Sequence, residues 1–367
     1  MEALGLDFTK LFNGRFFGKK VLVTGHTGFK GSWLTLWLTL MGAEVIGYAL
    51  PPNSSSDHFI VCGLKDRITD IHGDVRDKDH LHEVFTRHNP EIVFHLAAQP
   101  IVRLSYEIPV ETLETNIMGT VNVLEEIRIS DSVQAGIVIT SDKCYENKEQ
   151  IWGYREADSL GGYDPYSASK GCAELVTAAY RNSFFHSDQN SSSLKGVSSV
   201  RAGNVIGGGD WSLDRIIPDC VRALRKGETI EVRNPNAVRP WQFVLEPLYG
   251  YLLLASRMLE NPAKYSGPWN FGPDFSAVVP VMEMVKIAVA LWGAGEWSHH
   301  TERTSLHETS LLNLDCTKAK AFLGWHPTLD LKETLEYTLQ WYQVFDKTDI
   351  YTFSKDQIRS YCLKAGA

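Results

Sequence analysis

The run Lys20-Val21-Leu22-Val23-Thr24 passes directly into Gly25-His26-Thr27-Gly28-Phe29-Lys30-Gly31, and a helical stretch from Ser32 to Met41 follows, stopped at Gly42. No other feature constrains the chain as much. The short apolar run reads as a buried strand. Glycines behind it let the chain turn tightly and bring backbone N–H groups up to an anion at the positive amino end of the next helix. The Gly-x-x-Gly-x-x-Gly spacing alone is weak. Its placement between strand and helix predicts a dinucleotide pyrophosphate held by Gly25, His26, Thr27, Gly28, Phe29, Lys30 and Gly31.

The pattern continues. Glu44 to Leu50 reads as a second strand, ended by Pro51-Pro52 and a Ser-rich loop; Glu91 to Leu96 and Gly136 to Thr140 read as further apolar strands with helical segments between them. Continuous apolar strands separated by helices predict an α/β fold, a Rossmann-type doubly wound parallel sheet with its ligand crevice at the strand carboxyl ends. After about Gly203 the texture becomes loop-like, with Gly207-Gly208-Gly209-Asp210-Trp211 and Asn234-Pro235-Asn236. The expected division is residues 1–205 for the dinucleotide domain with a return segment at 238–260. Residues 206–237 and 261–367 are expected to form a smaller mixed α/β C-terminal substrate lobe. Ser191-Ser192-Ser193 reads as a surface loop.

A second strand of this kind should end in an acid that bonds the adenosine ribose, yet Tyr48-Ala49-Leu50 stands there. The choice between NAD and NADP is therefore open at this point, and Lys30 reads either as a partner for an extra phosphate or as a solvent-facing helix residue. Asp74, Val75, Leu96, Ala97 and Ala98 are expected along the adenine and cofactor wall, or else as turn and packing residues.

The formal charge of −8 disfavours a generic polyanion surface, so no nucleic-acid partner is expected. Cys62, Cys144, Cys172, Cys220, Cys316 and Cys362 are scattered without metal-ligand spacing, which reads as reduced core thiols and no metal site. Met1 to Lys20 has no signal-peptide pattern, and no apolar run reaches the roughly 18–20 residues of a membrane span. A cytoplasmic protein is expected.

Tyr166-Ser167-Ala168-Ser169-Lys170 places a phenol and an amine four residues apart, on one helix face. Asp164 suits the N-cap and Pro165 the first helical position. A phenol of ordinary pKa about 10 is a poor base near neutrality, and the Lys170 ammonium is expected to stabilise its phenolate. Thr140-Ser141-Asp142-Lys143 ends the preceding strand at the crevice edge. Ser141 suits a substrate hydroxyl; the acid and amine beside it are more than a redox step needs.

The glycine loop and the Tyr166/Lys170 pair resemble the extended short-chain dehydrogenase/reductase superfamily. So do His95-Leu96-Ala97-Ala98-Gln99-Pro100, Arg201-Ala202-Gly203-Asn204-Val205-Ile206-Gly207 and Arg239-Pro240-Trp241-Gln242. Within it the chain is most similar to the CDP-glucose 4,6-dehydratases. The distinctive stretches are Gly25 to Trp33, Ser141-Asp142-Lys143-Cys144-Tyr145 and Gly208-Gly209-Asp210-Trp211. The resemblance implies bound NAD, a CDP-glucose substrate and a homodimer or homotetramer supplying deoxysugars for lipopolysaccharide O-antigen. It implies Tyr166 as the C4 base aided by Ser141 and Lys170, and Asp142 as the acid expelling the C6 hydroxyl. Related dTDP-glucose dehydratases carry glutamate as the C5 base where this chain has Lys143. Lys143 is the preferred base, with enolate stabilisation or a neutral partnership with Asp142 as alternatives. Gln99, Asn204, Arg215, Arg233 and Arg239 are implied at the substrate, although Asp214-Arg215 also reads as a local salt bridge. His307-Glu308 reads as structural. The competing readings are a 4-epimerase or reductase of the same superfamily, which needs no acid such as Asp142, and a non-catalytic dinucleotide sensor.

Overall fold

The computed structural model describes residues 5–185, 194–299 and 311–367. Ser191–Ser193 and His307-Glu308 therefore lie outside the described residues. Seven parallel strands form the main sheet: β1 (Lys20–Thr24), β2 (Glu44–Ala49), β3 (Thr69–His72), β4 (Ile92–His95), β5 (Ala135–Ile139), β6 (Gly196–Arg201) and β7 (Gly267–Asn270). Their order is 7-6-5-4-1-2-3. The chain moves outward from β1 first in one direction and then, from β4, in the other. The crevice above β1 and β4 is thus the topological switch point where such sheets bind ligands.

Side chains of each strand alternate between two cores, as the period of two dictates. Val21, Val23, Ile92, Phe94, Ala135 and Ile137 enter the larger core, while Leu22, Val93 and Val138 enter the smaller one on the opposite face. The larger core takes α1 (Phe29–Leu40), whose Trp33, Leu34, Leu36, Trp37 and Leu38 are all buried. A helix apolar on nearly every side must be covered on nearly every side. The sheet lies under it, and the C-terminal helix Ile350–Ala365 lies beside it, with Tyr361 edge-on to Trp37 at 6.0 Å. On the opposite face lie α2 (Lys78–His88) and α3 (Gly119–Ile129). Further along come α4 (Pro165–Phe184), which carries Tyr166 and Lys170, and α5 (Leu245–Glu260), which packs on β5 and β6.

The smaller lobe contains three two-stranded pairings, 205–206 with 242–243, 238–240 with 278–280 and 230–232 with 297–299, and the helices Ile216–Lys226 and Val281–Trp292. The chain division differs from the one expected. Gly267-Pro268-Trp269-Asn270, expected in the substrate lobe, is the edge strand of the main sheet, paired with β6. Glycine and proline hide a strand from pattern reading, and proline is tolerated there because an edge strand leaves one row of backbone groups unpaired. The C-terminal helix likewise returns to α1. Its Ser354 hydroxyl meets His58 Nε2 at 3.2 Å and accepts from Trp341 Nε1 at 3.0 Å. All six cysteines are free thiols. Among the described residues no helix is long and apolar enough to cross a membrane.

Candidate active site

The glycine loop lies above β1 with close contacts that leave no room for side chains. A Cβ at Gly31 would sit 2.0 Å from the Gly25 carbonyl oxygen, so α1 can approach the turn only because residue 31 is glycine. Gly28 is the N-cap of α1, and no side chain caps that end. The first helical N–H groups thus face the crevice, as an anion-binding helix terminus requires. Thr27 ties the loop to the end of β2 by donating to the Leu50 carbonyl at 2.9 Å. These features fit a dinucleotide, with its pyrophosphate on the loop.

Several residues expected near the ligands also have partners within the protein. His26 is fully buried, with Nε2 2.7 Å from Asp70 Oδ1 on β3, and burial pulls its imidazole below the usual histidine range. It fastens the loop from below. Asp74 is held by Arg76, through the Arg76 backbone N–H at 2.9 Å and the guanidinium at 2.6 and 3.0 Å, which lowers its carboxyl. Val75 packs against Gly119 in the smaller core. Gln99, expected at the substrate, donates to the Ile101 carbonyl and the Thr112 hydroxyl and accepts from Ile101 N–H, which shapes its own loop. Leu96, Ala97 and Ala98 are partly exposed along the wall beyond β4; Leu96 N–H donates to the Thr24 carbonyl and Ala97 N–H to the Thr24 hydroxyl.

Lys30 is partly buried rather than solvent-facing. Its ammonium feels the charges of Lys170, Arg215 and Asp142. Burial, reinforced by the charge of Lys170, brings it down to about 7. Side chains in a helix lean toward its amino end, and those three charges act on Lys30 there.

Helix α4 begins as its sequence dictates. Asp164 accepts from the Ser167 N–H at 2.9 Å and the Ser167 hydroxyl at 2.6 Å, and Pro165 opens the first turn. Tyr166 and Lys170 are both buried in one face, 8% and 6% exposed. The expected acidification of the phenol by Lys170 is not what this structure holds. The Lys170 ammonium donates to the Ile139 carbonyl at 3.4 Å, and burial lowers it to about 8. Burial likewise raises the Tyr166 phenol to about 12, opposed by a hydrogen bond with Ser141 and by the charge of Arg215. Desolvation disfavours the charged form of both groups and is the largest influence on each.

Ser141 caps the 3-10 turn Asp142–Cys144. Its hydroxyl donates to Asp142 Oδ1 at 2.9 Å and accepts from the Lys143 N–H at 3.2 Å. Asp142 is 3% exposed, and its Oδ2 has no hydrogen-bond partner. A Cβ on Gly203 would come within 1.9 Å of that oxygen, so glycine at 203 makes room for the carboxylate. A buried orphan acceptor is costly enough to need a reason, and catalysis is one. Lys143 is half-buried at the same turn.

The small lobe supplies arginines. Arg215 donates to Asp210 at 3.0 Å rather than forming the local pair with Asp214 expected from sequence. Asp214 instead receives Arg233 at 2.7 Å and, from the helix Val102–Glu107 of the large domain, Arg103 at 3.5 Å. Arg239 donates to the Val238 carbonyl at 2.9 Å. Asn204 holds a left-handed backbone at φ 49°, and its carbonyl accepts from Gln242 N–H at 3.3 Å.

Sequence reading missed Asn116. It sits in a π-helical turn, Glu114–Met118, 1% exposed, where it accepts from the Gln99 N–H at 2.9 Å and donates to the Ser169 hydroxyl at 2.8 Å. Such turns often mark functional sites, but nothing in a one-dimensional pattern announces them. Arg103, Glu174 and Arg201 were also passed over; each gains meaning only from a partner far away in the chain.

A seven-stranded doubly wound sheet, a glycine loop at its switch point and a buried Tyr–Lys helix beside it define a Rossmann-fold protein of the short-chain dehydrogenase/reductase kind. The family model described as GDP-mannose 4,6 dehydratase matches residues 22–338, and the chain belongs to that family. It is 50% identical over 346 residues to the CDP-glucose 4,6-dehydratase of Salmonella typhimurium, covering 94% of this chain and 96% of that relative. It is 26% identical over 340 residues to a UDP-glucose 4-epimerase of Halalkalibacterium halodurans, covering 88% and 95%. The fold superposes on the dTDP-glucose 4,6-dehydratase of Bacillus anthracis str. Ames, solved in complex with NAD. That match has a TM-score of 0.74 and 20% identity, and covers 89% of this chain and 97% of the other.

Proposed function

We propose that this chain is a cytoplasmic CDP-glucose 4,6-dehydratase that works with bound NAD and makes CDP-4-keto-6-deoxyglucose, a precursor of deoxysugars for surface polysaccharide such as lipopolysaccharide O-antigen. The observation that carries the reading is Asp142: a buried carboxylate with one unpartnered oxygen, beside Ser141 and across from Tyr166. Oxidation and re-reduction at one carbon, as in an epimerase, give such an acid nothing to do. Identity of 50% to a CDP-glucose dehydratase over nearly the whole chain supports the same reading.

The chemistry a bound nicotinamide supplies is reversible hydride exchange with sugar carbons C4 and C6; the glycine loop and the amino end of α1 would hold its pyrophosphate. Tyr166, as phenolate, takes the C4 hydroxyl proton while Ser141 hydrogen-bonds that oxygen and the Lys170 ammonium stabilises the phenolate. The ketone so formed makes the C5 proton acidic. Lys143, in its neutral form, takes that proton, and Asp142, protonated, gives its own to the C6 oxygen. The C6–O bond breaks and one water leaves. Return of the hydride to C6 and of the Lys143 proton to C5 completes the product and resets that base. Arg215, Arg233 and Arg239, with Asn204, hold the diphosphate, exchanging their present partners for phosphate oxygens.

The same reading takes the enzyme as a homodimer or homotetramer. Val110, Met118 and Leu175 support it, being large apolar side chains left exposed on helical segments 109–118 and α4, which pack side by side.

The test is a turnover screen of CDP-, dTDP-, GDP- and UDP-glucose with mass detection. The expected result is a product lighter by one water from CDP-glucose. An isomer of unchanged mass would instead place the enzyme among the epimerases.

A further inference from the structure

Behind the site lies an ion pair that the reaction above does not use. Glu174 on α4 and Arg201 at the end of β6 are 3% and 2% exposed, with Arg201 Nη2 2.7 Å from Glu174 Oε2. Both oxygens of the carboxylate are engaged. Oε2 also accepts from the Ser199 hydroxyl at 2.7 Å, and Oε1 accepts a short hydrogen bond from the Thr140 hydroxyl. Burial alone would raise this carboxyl, but Arg201 and these hydrogen bonds outweigh it and hold Glu174 ionised. The other arm of Arg201, Nη1, donates to the Tyr145 hydroxyl oxygen at 2.6 Å and to the Glu156 carbonyl at 3.2 Å. Tyr145 in turn donates to Asn270 Oδ1 at 2.8 Å.

The sequence positions give these contacts their meaning. Thr140 is the residue before Ser141-Asp142-Lys143, and Tyr145 follows one residue after the 3-10 turn closes at Cys144. Glu174 bonds the leading side of the turn directly and reaches the trailing side through Arg201. It is also four residues beyond Lys170 and eight beyond Tyr166, so phenol, amine and carboxylate share one face of one helix. A single rigid element therefore carries the redox pair and, two turns on, the anchor of the acid–base turn.

We propose that Glu174 and Arg201 are positioning residues, a buried clamp that grips the Ser141–Lys143 turn on both sides and fixes its distance from the Tyr166–Lys170 helix. The proposal rests on the dehydratase reading for its catalytic consequence and on geometry alone for its structural one. A buried ion pair adds little net stability over a well-packed apolar pair of the same volume. Its distinctive contribution is directional: besides the bond within the pair, four hydrogen bonds reach it, from Thr140 and Ser199 to Glu174 and from Arg201 to Tyr145 and the Glu156 carbonyl. Proton transfer to the C6 oxygen and from C5 depends on where Asp142 and Lys143 stand relative to a sugar already held against Tyr166. An error of an ångström there slows elimination far more than it slows C4 oxidation.

The test uses the full chain with NAD added and two variants. Tyr145→Phe keeps the ion pair and deletes one hydroxyl; Glu174→Gln keeps the shape and removes the charge. Amide hydrogen exchange is followed at Lys143, Cys144 and Tyr145, whose N–H groups close the turn onto Ser141 and Asp142. The expected result is exchange faster by about tenfold at these three amides, with α4 protected as in the parent. With CDP-glucose, water loss is expected to fall about tenfold more than the initial oxidation, followed by the near-ultraviolet absorbance of the reduced cofactor. A merely structural role would lower both steps together. An unchanged ratio of the two steps in both variants overturns the proposal, as does unchanged exchange. Should Glu174→Gln fail to fold, Tyr145→Phe decides the matter. Should the parent dehydrate no nucleotide sugar, the dehydratase reading fails, and the exchange result alone judges the clamp.

Discussion

The two walls of the crevice present their ligand-facing groups in different ways. On the large-domain wall these groups are backbone amides at the amino end of α1, held where a Cβ at Gly31 would stand 2.0 Å from the Gly25 oxygen. On the small-lobe wall they are guanidinium groups, each already engaged: Arg215 by Asp210, Arg233 by Asp214. The first wall can bind without rearranging anything. Under the proposed reading the second trades carboxylate for phosphate, so part of each new contact replaces an old one. A ligand common to many enzymes suits the first arrangement, and a ligand that must be told apart from its neighbours suits the second.

Substitutions on the two walls should therefore differ in kind as well as size. The largest effect is expected from Tyr166→Phe, which keeps the ring and removes the base. Turnover should fall about a thousandfold while cofactor affinity, measured by calorimetry, stays near the parent value. Retention of near-normal turnover would dismantle the site assignment. Next comes Gly31→Ala on the preorganised wall. The methyl has only backbone to push against, so NAD affinity should weaken by about a hundredfold and stability by about 1–3 kcal/mol. Smaller again is Arg233→Gln on the exchangeable wall. KM for the nucleotide sugar should rise about tenfold with NAD affinity unchanged, since one charge-assisted contact is lost and another is released. An equal loss of NAD affinity would erase the distinction between the walls.

On activity the smallest effect is expected from a control away from both walls, which acts on stability alone. Glu246 opens α5, 2% exposed, accepting from the Thr328 and Leu329 N–H groups at 2.9 and 2.7 Å and from the Tyr361 hydroxyl at 2.8 Å. Burial raises its carboxyl to about 7 despite these bonds. Between its unfolded value near 4.5 and that folded value, the native state binds the extra proton, so this group's contribution makes stability fall as pH rises through the window. Glu246→Gln should flatten that slope and gain about 2–3 kcal/mol at pH 8, read as a higher Tm. Catalytic pH dependence should not move with it. Lys170, lowered to about 8, loses its ammonium as pH rises through that value, and turnover should fall there in parent and variant alike.

Much of the large-domain wall was legible in the chain. β1 runs over the residues its apolar pattern picks out, α1 follows the glycines, and Asp164 and Pro165 start α4 where their chemistry says a helix should start. Local rules suffice there because each signal and its consequence lie within a few residues. Reading failed where the partner is distant. The Gly-Pro-Trp-Asn edge strand is a strand only because β6 is available to pair with it. His26 turns inward because Asp70 waits on β3, and Arg215 chooses Asp210 over its neighbour Asp214.

The phenol and amine of α4 show the same boundary in energetic form. Spacing alone settled that Tyr166 and Lys170 share a helix face, since a repeat of 3.6 residues leaves no other outcome. Whether the amine acidifies the phenol was decided by depth. Both groups are buried deeply enough that desolvation governs their protons, with the ammonium directed to the Ile139 carbonyl. The chain by itself determined where the glycine turn and the Tyr166–Lys170 helix begin and which of their residues share a face. Only tertiary structure decided how far each lies from water, because the dielectric around a side chain is set by everything packed against it and not by its neighbours in sequence.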